Sequence, residues 1–303
     1  PILYSTDLVN WRLIGNAIDS PGMVDFSGLG TNRGLFAPAI THHDGRFWIV
    51  NTCIECRGNF VITAERPEGP WSDPVWLDFG GIDPSLYFAE NGEAWIVYND
   101  APKGPPRYEG HRALWMKRFD PVSMQVQGEP ILLVDGGVDP AEQPVWAEGP
   151  HIYKVGDWYY LLAAEGGTAE DHSQTVYRSK TVTGPYEPGP VNPILTQRDL
   201  PADRPAMPTL SNWTTAAGGA CSSRPGPLPD NRPCWDVRHS CFRSNGATAG
   251  HCSSTRGHRF LLSDKNPALS PLKTTHGTGG ATISMVLSPP TGSVYEPRRR
   301  CSA

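Results

Sequence analysis

The stretch HDGRFWIVN, residues 43–51, joins a tight-turn signal to a run of aromatic and β-branched residues. Two further stretches repeat this arrangement, ENGEAWIVYN at 90–99 and VGDWYYLLAA at 155–164. Asp-Gly, Asn-Gly and Gly-Asp pairs favour tight hairpin turns, and the runs after them have the residue types of buried strands. The repeat therefore predicts an all-β chain of antiparallel hairpins. The sequence has no helical periodicity of any length, which agrees with this prediction.

The spacing of these repeats indicates an architecture. They begin about 47 and 65 residues apart, which fits four-stranded propeller blades with insertions. A β-sandwich is built from similar short strands and turns, so both architectures stay open from the repeats alone. A second repeated element, PEGPWSDP at 67–74 and VTGPYEPGP at 182–190, follows two of the three hairpins.

The overall composition argues against two classes of partner. The net charge of −5 and the pI of about 6.0 lack the basic excess typical of nucleic-acid binding. No stretch approaches about eighteen consecutive apolar residues, so no membrane span is predicted. We therefore expect neither nucleic acid nor a membrane as a partner. The localisation stays unknown, with cytoplasm and secretion both open, because the chain starts at Pro1 without a signal-peptide pattern.

The composition changes sharply near residue 205. Residues 1–205 hold 15 Lys and Arg against 27 Asp and Glu, whereas residues 206–303 hold 11 against 4. Eight of the ten Trp lie before this point, and five of the seven Cys lie after it. A composition shift this sharp marks a domain boundary, a disordered tail or a sequence artefact.

Two acidic residues interrupt the predicted strands at comparable points. FGGIDPSLYF at 79–88 places Asp83 just before one strand, and WAEGPHIYKVGDWYYL at 146–161 places Glu148 just before another. Taken singly, an Asp before Pro is usually a turn residue. Their joint placement favours a catalytic role, because glycoside hydrolysis needs carboxylates that converge from different parts of a chain.

These residues resemble glycoside hydrolase family 43, the five-bladed β-propeller β-xylosidases and α-L-arabinofuranosidases. The resemblance runs through GLFAPAITHHDGRFWIVNT, GPWSDPVWLDFGGIDPSLYF and AEGPHIYKVGDWYYLLAAEGGT, and it covers residues 1–205 almost without a gap. It implies an all-β, five-bladed propeller that is incomplete here at its start and in its last blade. It also implies a hydrolase of O-glycosyl bonds in xylo- or arabino-oligosaccharides derived from xylan.

The resemblance implies roles for four residues. Glu148 matches the general acid, which must stay protonated near neutral pH. Asp83 matches a third carboxylate, which raises the pKa of the acid and orients it. Phe36, in GLFAPAI, matches an aromatic residue on the wall of the sugar pocket. Glu165, in the AEGGT motif, is a second candidate for substrate binding, with an ion pair or a capped turn as its structural alternative.

The family inverts the anomeric centre, which requires a carboxylate base as well as the acid. That base is an Asp in a D-P-S motif of the first blade. The one D-P-S run here belongs to Asp83, and Asp7, Asp19 and Asp25 do not match the motif. We therefore predict an inverting glycosidase that lacks its base and is inactive as this chain. A non-catalytic carbohydrate-binding propeller, or pseudoenzyme, is the alternative.

The sequence after Pro205 departs from the family, which continues with G-H-A-D, a D-G-x-W-W turn and an L-G-R-E-T-like segment. Residues 206–225 and 234–252, reread in one shifted codon phase, can yield these segments in the right order. We therefore expect residues 1–205 to form a partial glycosidase propeller and residues 206–303 to be an aberrant, disordered tail that is translated out of frame. Some family members hold a cation near the G-H-A-D histidine, which is absent here, so we predict no metal and no cofactor. Cys53 and Cys56 form a C-x-x-C without a following helix and are interpreted as incidental thiols.

Overall fold

The computed structural model describes residues 1–5, 10–30, 32–167 and 171–196, and the backbone of three strands beyond them. The strands are β1 (Ile2–Ser5), β2 (Arg12–Gly15), β3 (Ala39–His43), β4 (Arg46–Cys53), β5 (Gly58–Ala64), β6 (Val75–Trp76), β7 (Ile82–Phe88), β8 (Ala94–Asp100), β9 (Ala113–Asp120), β10 (Gln125–Asp135), β11 (Glu148–Val155), β12 (Trp158–Glu165), β13 (Ser173–Ser179), β14 (Glu187–Pro188), β15 (Leu195–Thr196), β16 (Gly219–Pro227), β17 (Pro233–Arg243) and β18 (Thr282–Met285). Apart from one turn of 3-10 helix at Pro140–Glu142, no helix occurs in these residues. The prediction of an all-β chain is confirmed.

Three antiparallel sheets follow one another along the chain. Strands β3–β6 form the first sheet, β7–β10 the second and β11–β14 the third, in which β15 also pairs with β13. Sequential strands are neighbours within each sheet, so each is a meander whose first strand lies at one edge. The three edge strands β3, β7 and β11 lie beside one another, β7 between the other two. We call β3, β7 and β11 the inner strands.

The repeated turns form the hairpins that the sequence predicts. Asp44 and Gly45 join β3 to β4 with φ values of 48° and 70°, and β3 pairs with β4 directly across this turn. Two consecutive residues with positive φ match the twist of antiparallel strands, which is why Asp-Gly is favoured there. The Asn-Gly pair lies in the five-residue connection from β7 to β8, and Gly156-Asp157 joins β11 to β12; in each pair only the glycine has positive φ, 83° and 57°.

Apolar clusters between the sheets explain why several strands are apolar on both faces. Trp48 and Val50 of β4 pack with residues of the second sheet, whereas Ile49 faces a cluster that includes Ile2. A further cluster lies between the second and third sheets and contains Val97 of β8 and Leu161 of β12. Because both faces of a central strand are covered, the strict alternation of a half-exposed strand is lost.

Side chains tie neighbouring inner strands together. Thr41 of β3 donates a hydrogen bond to the Leu86 carbonyl of β7 (3.4 Å), and Ser85 of β7 donates to the Pro150 carbonyl of β11 (2.5 Å). Both bonds run from a hydroxyl to a backbone oxygen of the next sheet, between residues 45 and 65 positions apart in the chain. The Ser85 bond lies close to the first residues of β7 and β11, so it fixes how these two strand ends sit together.

A buried amide links the first sheet to the segment that enters β7. Asn59, at 1% exposure, donates from Nδ2 to the carbonyls of Phe79 and Gly81, both at 3.2 Å. Its Oδ1 accepts a hydrogen bond from Thr52 Oγ1 at 2.6 Å. Asn59 therefore satisfies several buried polar groups at once and sets the path of the chain towards Asp83.

The end regions of the chain contribute five further strands. β18 and β2 pair antiparallel with β1 on its two sides, and β16 pairs with β17. Only the backbone of β16, β17 and β18 is described beyond residue 196. The predicted aberrant, disordered and out-of-frame character of residues 206–303 otherwise lies outside the described residues and stays a prediction.

The two cysteines of the C-x-x-C motif lie at the turn that follows β4. Cys53 and Cys56 are joined in a disulfide, with their Cα atoms 5.2 Å apart, so the interpretation as incidental thiols is wrong. The physical reason is the tight turn after β4, in which Cys56 N–H donates to the Cys53 carbonyl (3.3 Å) and brings both side chains together.

In the part of the chain that the structure describes, no helix has the length and apolar character to cross a membrane.

We expect Asn59→Ala to lower the free energy of unfolding by about 2–3 kcal/mol, because it removes the donor to two partly buried carbonyls and the acceptor of the buried Thr52 hydroxyl. Urea denaturation measures this change. Asn91→Ala is the matched control, since Asn91 is exposed and its side chain bonds only with Glu93 in its own turn. Equal losses in the two variants would contradict the role given to Asn59.

Candidate functional site

Asp83 and Glu148 stand at the beginning of adjacent inner strands. Asp83 is the second residue of β7 and Glu148 the first of β11. The pairing register shifts in both strands at this point, between Ile82 and Ser85 in β7 and between Glu148 and His151 in β11. Proline has no N–H for the ladder, and each acidic residue is followed by a proline within two positions. Such irregularities redirect side chains, here at one end of two neighbouring strands.

The backbone around Asp83 is unusual. Its φ is 53°, in the left-handed region that few residues other than glycine adopt. Gly81, two residues earlier, has φ 81°, and a Cβ there would lie 2.3 Å from the Asn99 carbonyl. Only glycine fits this approach of the chain to the end of β8.

Two donors hold the Asp83 carboxylate. Asn99 Nδ2 donates to Asp83 Oδ2 at 3.0 Å, and Asn99 is itself 1% exposed. The backbone N–H of Gly149 also hydrogen-bonds to Asp83. Because Gly149 directly follows Glu148, the Asp83 carboxylate is connected to the backbone that carries the other acid.

The two carboxyl groups have pKa values that are pushed apart. Burial raises the pKa of Asp83 to about 6, although hydrogen bonds from Asn99 and Gly149 oppose the rise. Burial first, and the charge of Asp83 second, raise the pKa of Glu148 to about 8. The guanidinium of Arg112 opposes both shifts by favouring the charged forms. Near neutral pH, Asp83 is therefore charged while Glu148 keeps its proton.

Phe36 lies at the corresponding end of the third inner strand. It precedes β3 by three residues, is half-buried, and donates its backbone N–H to the Thr52 carbonyl at 2.9 Å. Phe36 therefore lies just before the inner strand that neighbours β7. This position agrees with the placement of Phe36 on a pocket wall, which stays a prediction.

Glu165 is held inside the protein. At 5% exposure, its Oε1 accepts hydrogen bonds from the Val138 N–H (2.7 Å) and the Tyr177 hydroxyl (2.8 Å). Val138 begins the loop that leads to Glu148, which we call the acid loop (residues 138–147). The structure therefore connects Glu165 to the acid loop, and direct contact of Glu165 with a substrate stays a prediction.

The sequence patterns did not predict several residues of the site. Ser85 was visible in the D-P-S run, but its bond to Pro150 depends on how two sheets meet. Asn99 carried a local signal, a polar residue that ends an apolar strand run, yet nothing local pairs it with Asp83. Arg112 has no signal of its own in the sequence. Across the described ranges, no three His, Cys, Asp or Glu side chains form a group that could hold a metal ion.

Comparison with known proteins identifies the family. The profile of glycosyl hydrolases family 43 matches residues 1–214, and the chain belongs to this family. A xylosidase/arabinosidase from Butyrivibrio fibrisolvens is 38% identical over 208 residues, which are 68% of this chain and 40% of that protein. A non-reducing-end α-L-arabinofuranosidase from Bacteroides ovatus is 36% identical over 205 residues, 66% of this chain and 36% of that protein. The chain thus spans well under half the length of these curated relatives.

Solved structures give the same family and fold. A GH43_12 protein from a capybara gut metagenome aligns with a TM-score of 0.72 and 37% identity, over 80% of this chain and 46% of that one. A xylan β-1,4-xylosidase from Bacillus halodurans aligns with a TM-score of 0.66 and 29% identity, over 79% and 47% of the two chains. The recognition of a family 43 fragment from the sequence is therefore confirmed.

We expect Glu148→Gln to stabilise the chain increasingly as the pH rises. Because folding raises the pKa of Glu148 from 4.5 to about 8, its contribution to stability is complete below pH 4.5 and is lost as the pH approaches 8. Urea denaturation should show that the glutamine variant gains about 5 kcal/mol over the parent chain across that window. Exposed Glu142→Gln is the control. A difference that does not change with pH would contradict the burial of the Glu148 carboxyl.

Proposed function

We propose that this chain carries the proton-donor half of an inverting glycosidase site. Glu148 is the general acid and Asp83 the carboxylate that keeps its proton in place and orients it. The observation that carries the proposal is the pair of adjoining, partly buried carboxyls, with pKa values of about 8 and about 6. Family membership supports the same assignment. Positioned acids of this kind are the means by which glycosidases protonate a leaving oxygen.

The proposed reaction begins with the proton of Glu148. As the bond between the anomeric carbon and the glycosidic oxygen breaks, that proton passes to the departing oxygen. A water molecule attacks the anomeric carbon from the opposite face and loses its proton to a carboxylate base. The charge on Asp83 keeps Glu148 protonated until the leaving oxygen takes the proton, and the Gly149 N–H bond holds Asp83 beside the acid.

Apart from the D-P-S run of Asp83, no residue of the sequence matches the motif of the catalytic base. The one D-P-S run of the 303 residues contains Asp83, which has the modulating role. We propose that the chain as it stands lacks the base and hydrolyses glycosides poorly. A carbohydrate-binding protein without turnover is the second candidate, and this same observation favours it.

The substrate we propose is a terminal xylose or arabinofuranose on a xylan-derived oligosaccharide. The names of the two curated relatives describe xylosidase and arabinofuranosidase activities. Phe36 contributes an aromatic surface at the edge where the inner strands begin. Glu165 contributes through the acid loop, whose first N–H it binds.

The architecture we propose for the parent protein is the five-bladed propeller. The three consecutive meanders with neighbouring inner strands support this, since propeller blades place their first strands around a common axis.

An external nucleophile tests the proposed division of roles. In azide, the chain should cleave aryl β-xylosides and release an α-xylosyl azide, because azide attacks the anomeric carbon without needing a base. The C–O bond breaks, a C–N bond forms, and Glu148 supplies the proton to the leaving oxygen. Aryl α-arabinofuranosides in parallel decide between the two sugars.

Glu148→Gln should reduce the azide-driven rate by about a hundredfold or more for a phenyl leaving group. With a dinitrophenyl group, which leaves without a proton, the rate should change little. Glu142→Gln is the matched control on the acid loop. Equal rates with and without azide would contradict the missing base. Full activity of Glu148→Gln on the phenyl substrate would contradict the role of the acid, and sugar binding with no turnover in azide would favour the binding protein.

A further inference from the structure

An exposed apolar pair directly precedes the proposed acid. Among the described residues, five large apolar side chains are strongly exposed, and two of them are consecutive, Val145 at 41% and Trp146 at 43%. Single exposed apolar residues are common on protein surfaces, but adjacent ones more often mark a binding site. Ala147, fully buried in the core, separates this pair from Glu148.

The backbone that carries Trp146 is fixed on both sides. Trp146 N–H donates to the Gly110 carbonyl at 2.9 Å, and the Val145 carbonyl accepts from Gly166 N–H at 2.7 Å. The φ of Trp146 is 50°, which is a rare conformation for a bulky residue. Such strain persists where the surrounding structure holds it, and it is frequent at ligand-binding sites.

The indole packs against glycine backbone at two positions. A Cβ on Gly167 would lie 2.8 Å from Trp146 Cε3, so the six-membered ring packs directly on this glycine. A Cβ on Gly110 would lie 3.5 Å from both Cδ1 and Nε1 of the indole. Glycine at these two positions lets the ring lie close to the main chain while much of its surface remains open.

We infer that Trp146 is a stacking platform for the sugar ring on the leaving-group side of the scissile bond. This inference rests on the proposed function, in which Glu148 reaches the oxygen that joins the terminal sugar to the next ring. Trp146 N–H donates to the carbonyl of Gly110, two residues before Arg112, whose guanidinium acts on both acids, so the indole lies beside the acid site. An aromatic surface two residues from the acid is therefore placed for the ring that departs, whereas Phe36 lies on the far side of β7.

The indole of Trp146 determines which kind of sugar can bind on it. An indole face binds the apolar C–H face of a pyranose, and its polar edge remains free to contact water or hydroxyls. Xylose is the departing ring whether the terminal sugar of a xylan fragment is xylose or arabinofuranose. The predicted ligand is thus a disaccharide or longer, with its second ring on Trp146.

Calorimetric titration of the full chain with xylose and with xylobiose tests the inference. Xylobiose should bind more tightly than xylose. In Trp146→Ala, the Kd for xylobiose should rise about fivefold or more, while the Kd for xylose stays within about twofold. Trp146→Phe should retain most of the xylobiose affinity. Trp158→Ala, which removes a half-buried indole covered by Arg178 and Lys180, is the matched control and should change neither.

The outcomes separate this inference from the proposed function. Equal Kd values for the two sugars, or equal weakening of both in Trp146→Ala, would overturn the platform and leave the acid assignment intact. Selective loss of xylobiose affinity in a chain without azide-driven turnover would support the platform and contradict the hydrolase. If Trp146→Ala changes neither Kd, the platform is overturned as well, and the acid assignment is unaffected.

Discussion

Two carboxyl groups share one poorly solvated space at the start of adjacent strands, and the site depends on this arrangement. Removing a carboxylate from water favours its neutral form, and a neighbouring charge favours it further. Asp83 has Asn99 and the Gly149 N–H to support a negative charge, whereas no hydrogen bond of the Glu148 carboxyl is described. The difference in donors, together with the effect of each group on the other, decides which carboxyl holds the proton.

Other features of the fold serve to bring these two groups together. Asn59 and Gly81 set the path of the chain into β7, and the Ser85 hydroxyl fixes the ends of β7 and β11 against each other. Glu165 holds the first N–H of the acid loop from inside the third sheet. These contacts surround a pair of acids that lower the stability of the folded chain at neutral and higher pH. Stability is often sacrificed in this way at functional sites.

Local patterns predicted much of the fold because they depend on residues close in sequence. The Asp-Gly turn at Asp44 and the apolar runs beside it define strands and hairpins without reference to the rest of the chain. The positions of Asp83 and Glu148 before such runs, with the family resemblance, identified the candidate acids. Their partners were not predictable, since Asn99 and Ser85 act across sheets whose packing no local pattern encodes. The C-x-x-C was misinterpreted because its significance lies in a tight turn and not in a helix.

The central claim is that Glu148 holds its proton at neutral pH because of burial and of Asp83. Carbon-detected NMR titration of the glutamate carboxyls, with Glu148 assigned from its loss in Glu148→Gln, measures this pKa directly. We expect a pKa of about 8 in the parent chain. In Asp83→Asn the pKa should fall but remain above 4.5, since burial is the larger cause, and exposed Asp44→Asn should not change it. A Glu148 carboxyl that titrates near 4.5, or that does not respond to Asp83→Asn, would contradict the account.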